Sequence, residues 1–141
     1  GNGTNGVQIF GHGTLNNRVQ GNSIFANEGL GIDHWCDSVT PNDPGDIDDG
    51  PNHQQNFPVL NTVVNDGGTL VLHGCIDTQN PENVTVEVFV NVDVDPSGHG
   101  EGMKSLCTTA PDENGVITVE LPAVPTGFFL TATATDADGM W

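Results

Sequence analysis

Along much of this chain apolar and polar residues alternate one by one. Thr85-Val86-Glu87-Val88-Phe89-Val90 and Val116-Ile117-Thr118-Val119-Glu120-Leu121 do so, which is the period-two spacing of a strand with one buried face. Over 128–135, Phe128, Leu130, Ala132 and Ala134 fall on one face. Phe129, Thr131, Thr133 and Thr135 fall on the other, so the even-numbered face is predicted inside. Leu70-Val71-Leu72 is apolar on both parities and predicts a more central strand. No window sustains apolar residues at i, i+3, i+4 and i+7, because Gly, Asn and Thr interrupt every run, so no helix is expected. Turn clusters at Asn65-Asp66-Gly67-Gly68, Asn80-Pro81-Glu82-Asn83, Asp112-Glu113-Asn114-Gly115 and Pro122 to Gly127 separate the strands. The pattern predicts six strands, near 57–65, 68–77, 83–93, 102–110, 115–122 and 128–136. Short strands at such spacing predict an all-β fold, an Ig-like β-sandwich over residues 57–141.

Residues 1–35 are patterned differently. Gly6-Val7-Gln8-Ile9 returns as Gly29-Leu30-Gly31-Ile32, an offset of 23 positions. Between them lies Val19-Gln20-Gly21-Asn22-Ser23-Ile24-Phe25-Ala26-Asn27. Short Val/Ile pairs with Gly and Asn at corners suit a parallel β-helix rung, since both residues tolerate the left-handed backbone of a sharp corner. A solenoid needs about three repeats to bury a continuous core. Residues 1–35 are therefore expected to be a partial rung or donor segment packed on the sandwich or on another chain. Residues 36–56 form an acidic junction loop.

That junction carries a resemblance. Thr40-Pro41-Asn42-Asp43-Pro44-Gly45-Asp46-Ile47-Asp48-Asp49-Gly50-Pro51-Asn52, followed by Gln55-Asn56-Phe57-Pro58-Val59-Leu60, resembles the C-terminal region of bacterial cell-surface right-handed β-helix repeat proteins. There the last rungs run into a D-x-D-x-G-P-N…Q-N-F-P-V-L junction and an Ig-like sandwich. Asp95-Pro96-Ser97-Gly98-His99-Gly100-Glu101-Gly102 and the run from Thr131 to Gly139 match the same pattern. The resemblance spans nearly the whole chain and implies a surface location and this two-part fold. Most of the β-helix, and the strand that follows the terminal turn, are missing relative to it.

Composition narrows the partners. Nineteen residues are acidic and two basic, Arg18 and Lys104, for a formal charge of −17. Two cations cannot neutralise a nucleic-acid backbone or hold an anionic membrane surface, so neither nucleic acid nor membrane insertion is expected. No apolar run approaches the ~18 residues of a membrane span. Without an initiator Met or a basic leader, and rich in Gly, Asn, Asp and Thr, the chain reads as the processed form of a secreted protein, extracellular or at the cell surface. Cys36, Cys75 and Cys107 leave three pairings open, or none.

Asp43, Asp46, Asp48, Asp49 and Asn52 place five oxygen-bearing side chains within ten positions. Crowded acids around a Gly turn are how a loop converges hard oxygens on Ca²⁺, although the spacing is not that of an EF-hand. Asn91, Asp93 and Asp95 on one predicted strand face, with Glu101 after a Gly-rich turn, form a second candidate set. Asp77, Asp136 and Asp138 end strands and are candidates to complete the junction site. Catalysis has no comparable basis. The five histidines are scattered, no serine sits in G-x-S-x-G, and no nucleophile–base pair is evident. The chain is therefore not expected to be an enzyme.

Six strands are one short of an Ig-like seven, and a missing edge strand is a template for another chain's strand. The leading expectation is a structural subunit that assembles with itself head to tail, residues 1–35 of one copy completing the next, with Ca²⁺-stabilised loops. An adhesin or module binding extracellular glycans is the alternative. A remnant of a β-helix polysaccharide-active enzyme is the third reading.

Overall fold

A computed structural model describes residues 1–124 and 126–136. Two short strands, β1 (Val7–Ile9) and β2 (Ile32–His34), precede six longer ones. These are β3 (Val59–Asp66), β4 (Thr69–Cys75), β5 (Val84–Asn91), β6 (Lys104–Thr109), β7 (Val116–Leu121) and β8 (Phe129–Asp136). The six lie where the alternation predicts them. Helical structure among the described residues is confined to 3-10 turns at Pro51–Gln54 and Pro81–Asn83. No helix there is long and apolar enough to cross a membrane.

The long strands form two antiparallel three-stranded sheets, ordered β3-β4-β7 and β6-β5-β8. Register dictates which side chains meet between them. Val86 pairs with Ala134, Val88 with Ala132 and Val90 with Leu130, so the even-numbered positions of β5 and β8 share a face. Val84, Val86 and Val88 pack there against Leu72, Ile76, Ile117 and Leu121 from the opposing sheet, with Leu130, Ala132 and Ala134 at the margin. The predicted even face of β8 is thus the inner one. Phe128 is the exception: it precedes the strand and is exposed. Leu70-Val71-Leu72 lies in β4, central in its sheet as expected.

The outer face of β5 is buried as well, because residues 1–56 lie across it. The Gly21 N–H donates to both carboxylate oxygens of Glu87, at 3.0 and 3.1 Å. The Asn27 N–H donates to Glu101 at 3.1 Å, and Ile24 forms an antiparallel bridge with Gly102. That bridge needs glycine, since a Cβ at position 102 would lie 2.9 Å from the Phe89 ring. β1 and β2 pair in parallel, Val7 opposite Ile32. The offset is therefore 25 residues, not the 23 of the sequence repeat. This single parallel pair is the extent of rung-like pairing among the described residues.

Candidate functional site

Two places hold chemistry that the fold itself does not consume. The first is the sandwich flank formed by β8 and β3. β8 ends its sheet, and its eight residues contain no Lys, Arg or Pro and no register shift against β5. Natural edges are usually guarded by such devices. Here β6 has Lys104 and a shift, and β3 has Pro58 before it and a shift, whereas the fourth edge, β7, lacks them as β8 does. The core is also open on this side. Val63 lies opposite Leu72, on the core-facing side by register, yet it is 41% exposed, whereas Leu72 is 1% exposed. Leu60, Leu130, Ala132 and Ala134 are likewise only partly buried.

A groove of about 650 Å³ follows this edge and is lined by every residue from Leu130 to Asp136, of both parities. Its lining also includes Leu60 of β3 and Asp33 and His34 of β2. Asp33 is 3% exposed. Its Oδ2 accepts a hydrogen bond from Asn5 Nδ2, while its Oδ1 is buried without a partner, as is Thr133 Oγ1 on β8. Burial holds the His34 imidazole below its ordinary 6.5, against the opposing pull of Asp33. Sequence reasoning missed Asp33. Its only signal was a carboxylate between two otherwise strand-like residues, Ile32 and His34.

The junction loop is the second place, and it divides the predicted calcium ligands. Asp46 is 3% exposed and held in a left-handed backbone conformation, φ 56°. Its carboxylate accepts from the Asn56 N–H, Gln55 Nε2 and Thr78 Oγ1, each at 2.8 Å. It thereby ties the junction to the segment after β4. Desolvation pushes its carboxyl above the ordinary 3.8, and these donors pull it partly back. Asp77 does join this site: its Oδ2 accepts from the Gly45 N–H and its carbonyl from Asn56 Nδ2. Asn52 clamps the N-terminal segment, donating to the Asn17 carbonyl and accepting from the Asn17 N–H. Asp49 is exposed.

Asp43 Oδ1, Asp48 Oδ1 and Gln55 Oε1 remain buried and unpartnered. Asp48 is raised above 3.8 by partial burial and by the charges of Asp43, Asp46 and Asp49. No three His, Cys, Asp or Glu side chains among the described residues gather closely enough to hold a metal by themselves.

The second predicted set is not gathered into one site. β5 stops at Asn91, so strand alternation does not extend to Asp93 and Asp95, both in the loop beyond it. Asn91 bridges Thr131 Oγ1 and the Met103 N–H, Asp95 accepts from the Ser97 N–H, and Glu101 holds Asn27. Asp136 lines the groove, and Asp138 lies outside the described residues. All three cysteines are free, so none of the three possible pairings forms, and Cys36 and Cys75 are exposed while Cys107 is partly buried. Phe10, 64% exposed, meets Trp35 edge-on at 5.7 Å, with His12 at 4.6 Å on the same indole.

Searches against protein-family models, curated proteins and solved structures find no match to this chain.

Proposed function

We propose that this protein is a non-catalytic structural module of an extracellular or cell-surface assembly, joined to a neighbouring chain by a strand that adds to the edge of β8. The carrying observation is that this edge is unguarded while the core beside it is open at Val63. An added strand would pair the free N–H and C=O groups of β8 and cover Leu60, Val63 and Leu130 together. The acidic composition and scarcity of Lys and Arg support the extracellular placement.

In the homopolymer form of this reading, residues 1–35 of the next copy supply the strand. Those residues are bonded to their own sandwich through Glu87 and Glu101, so donation is an exchange of these bonds between copies. Calcium belongs to the same reading as a stabiliser of the junction. Asp43 Oδ1, Asp48 Oδ1 and Gln55 Oε1 offer three free acceptors in one loop, and backbone carbonyls and water would complete the six to eight oxygens that Ca²⁺ takes.

Ala134→Lys tests the edge, because an inward-pointing charge is a natural device against strand addition. Sedimentation of the unmodified protein should show concentration-dependent assembly, or capture of an alternating strand peptide, and the variant should lose it while keeping its far-UV spectrum. An unmodified protein that does neither would refute the reading. A second reading, glycan binding, is favoured by the exposed Phe10 beside Trp35 and His12. It predicts retention on a glycan surface that Phe10→Ala abolishes.

A further inference from the structure

Two buried polar atoms on residues that line the groove beside β8 have no partner: the carboxylate oxygen Asp33 Oδ1, which can only accept, and the hydroxyl Thr133 Oγ1. A buried acceptor left unpaired costs about 1–3 kcal/mol, and more when it is ionised. Three more carboxylates, of Glu87, Glu101 and Asp136, line the same groove, against the single guanidinium of Arg18. Arg18 already donates its Nε to Gln20. Whatever fills the groove must therefore bring donors and positive charge on the side facing β2, and small apolar groups on the side facing Leu60 and Ala132.

We infer that the strand taken up at β8 comes from a separate, basic polypeptide, and that a Lys or Arg on its outward face docks on the buried carboxylate of Asp33. This rests on the strand-addition reading above and names its partner. An extended segment with apolar residues at alternate positions and a cation between them meets both walls, because successive side chains of a strand point to opposite faces. A second copy of this chain is the poorer match. Its two cations are Arg18 and Lys104, and each copy carries a net charge of −17. Arg18 already stands in the groove wall and Lys104 lies in β6. The required cation thus comes from elsewhere. A charge-assisted contact at a desolvated site also confers partner choice, since a strand without a donor at that position would leave Asp33 Oδ1 buried and unpaired.

The test uses the full chain and three synthetic peptides of one alternating apolar sequence, with Lys, norleucine or Glu at the central outward position. Binding is measured by calorimetry and located by exchange protection of the β8 amides. The Lys peptide is expected to bind at least about tenfold more tightly than the norleucine peptide, the size of one charge-assisted hydrogen bond, and the Glu peptide not to bind. Asp33→Asn should erase the Lys preference, read as the ratio of Lys-peptide to norleucine-peptide affinity in the same variant. Equal binding of the Lys and norleucine peptides, or a Lys preference that survives in Asp33→Asn, overturns this inference and leaves strand addition standing. Failure of every peptide to protect β8 overturns this inference, and if the protein alone also fails to assemble it overturns strand addition as well. Assembly of the protein alone, with protection of β8, would identify a second copy as the occupant and also overturn the inference. If Asp33→Asn unfolds the β1–β2 pair, acetylation of the peptide's lysine tests the contact on the unmodified protein: it removes the charge and keeps the stem, so binding should fall to the norleucine level, and a preference that survives acetylation would overturn the inference.

Discussion

Residues 1–56 and 57–136 are built by different physics. Leu72, Val84, Val86, Val88 and Ile117 in the sandwich are at most 1% exposed, whereas Ile9 and Pro51 are the buried apolar side chains of the first segment among the described residues. The first segment relies on polar groups instead: Asp33, Asp46, Asn52 and Asn56 are buried and hydrogen-bonded, Asp33 to the Asn5 side chain and the other three to backbone groups. Backbone conformation divides the same way. The non-glycine residues with positive φ, from Asn16 to Gln54, all precede the sandwich among those described. Each such conformation is disfavoured by about 1–2 kcal/mol except at Asn and Asp, and only surrounding hydrogen bonds and packing hold it. The sandwich can therefore stand on hydrophobic burial, whereas the first segment depends on the sandwich face beneath it.

The largest expected effect tests the sandwich side of this contrast. Ile117→Ala removes a fully buried side chain from between the sheets and should destabilise the whole protein by about 2–5 kcal/mol in a denaturant titration. Loss of only the N-terminal segment, with the sandwich transition unmoved, would break the comparison. Glu87→Ala probes the other side. It deprives the Gly21 N–H of its acceptor, an effect of about 1–3 kcal/mol. It should expose residues near Gly21 to protease and hydrogen exchange well before the sandwich amides.

Smaller effects come from titration. Because His34 is held below 6.5, the unfolded chain takes up its proton first. Its contribution is present above 6.5 and is lost as pH falls through the window beneath that value. Exchange of the β1 and β2 amides should therefore accelerate on mild acidification, and His34→Gln should remove the acceleration. Asp48 has the opposite sign. Its raised carboxyl means the folded chain holds the proton longer, so between 3.8 and its raised value stability falls as pH rises. Asp48→Asn should flatten that slope in melting experiments. Without Ca²⁺ it should leave neutral-pH stability equal or slightly higher. If Ca²⁺ binds the junction, the unmodified protein gains stability from it and Asp48→Asn gains less.

Much of the sandwich was legible in the sequence because strand alternation is local and the core reads one face of it. All six long strands, the inner face of β8 and the central place of β4 follow from residues two apart in the chain. The turns follow too, since Asn65 to Gly68 and Asp112 to Gly115 carry side chains that bond their own backbone. The candidate site was legible only in part. The crowded acids were visible, yet the sequence could not separate Asp46, saturated by Gln55, Asn56 and Thr78, from Asp43 and Asp48, which keep unpartnered oxygens. That division depends on donors up to 32 positions away.

By itself, then, the sequence determined the strands, the inner face of β8 and a formal charge of −17. Only the tertiary structure decided that residues 1–56 lie on the outer face of β5, that β1 and β2 pair 25 residues apart, and that Asp33 is buried with an oxygen to spare on the groove beside β8. The physical reason is range. Alternation and turn chemistry act between neighbours, whereas burial of a polar atom and the openness of a sheet edge are properties of what the rest of the chain brings beside them.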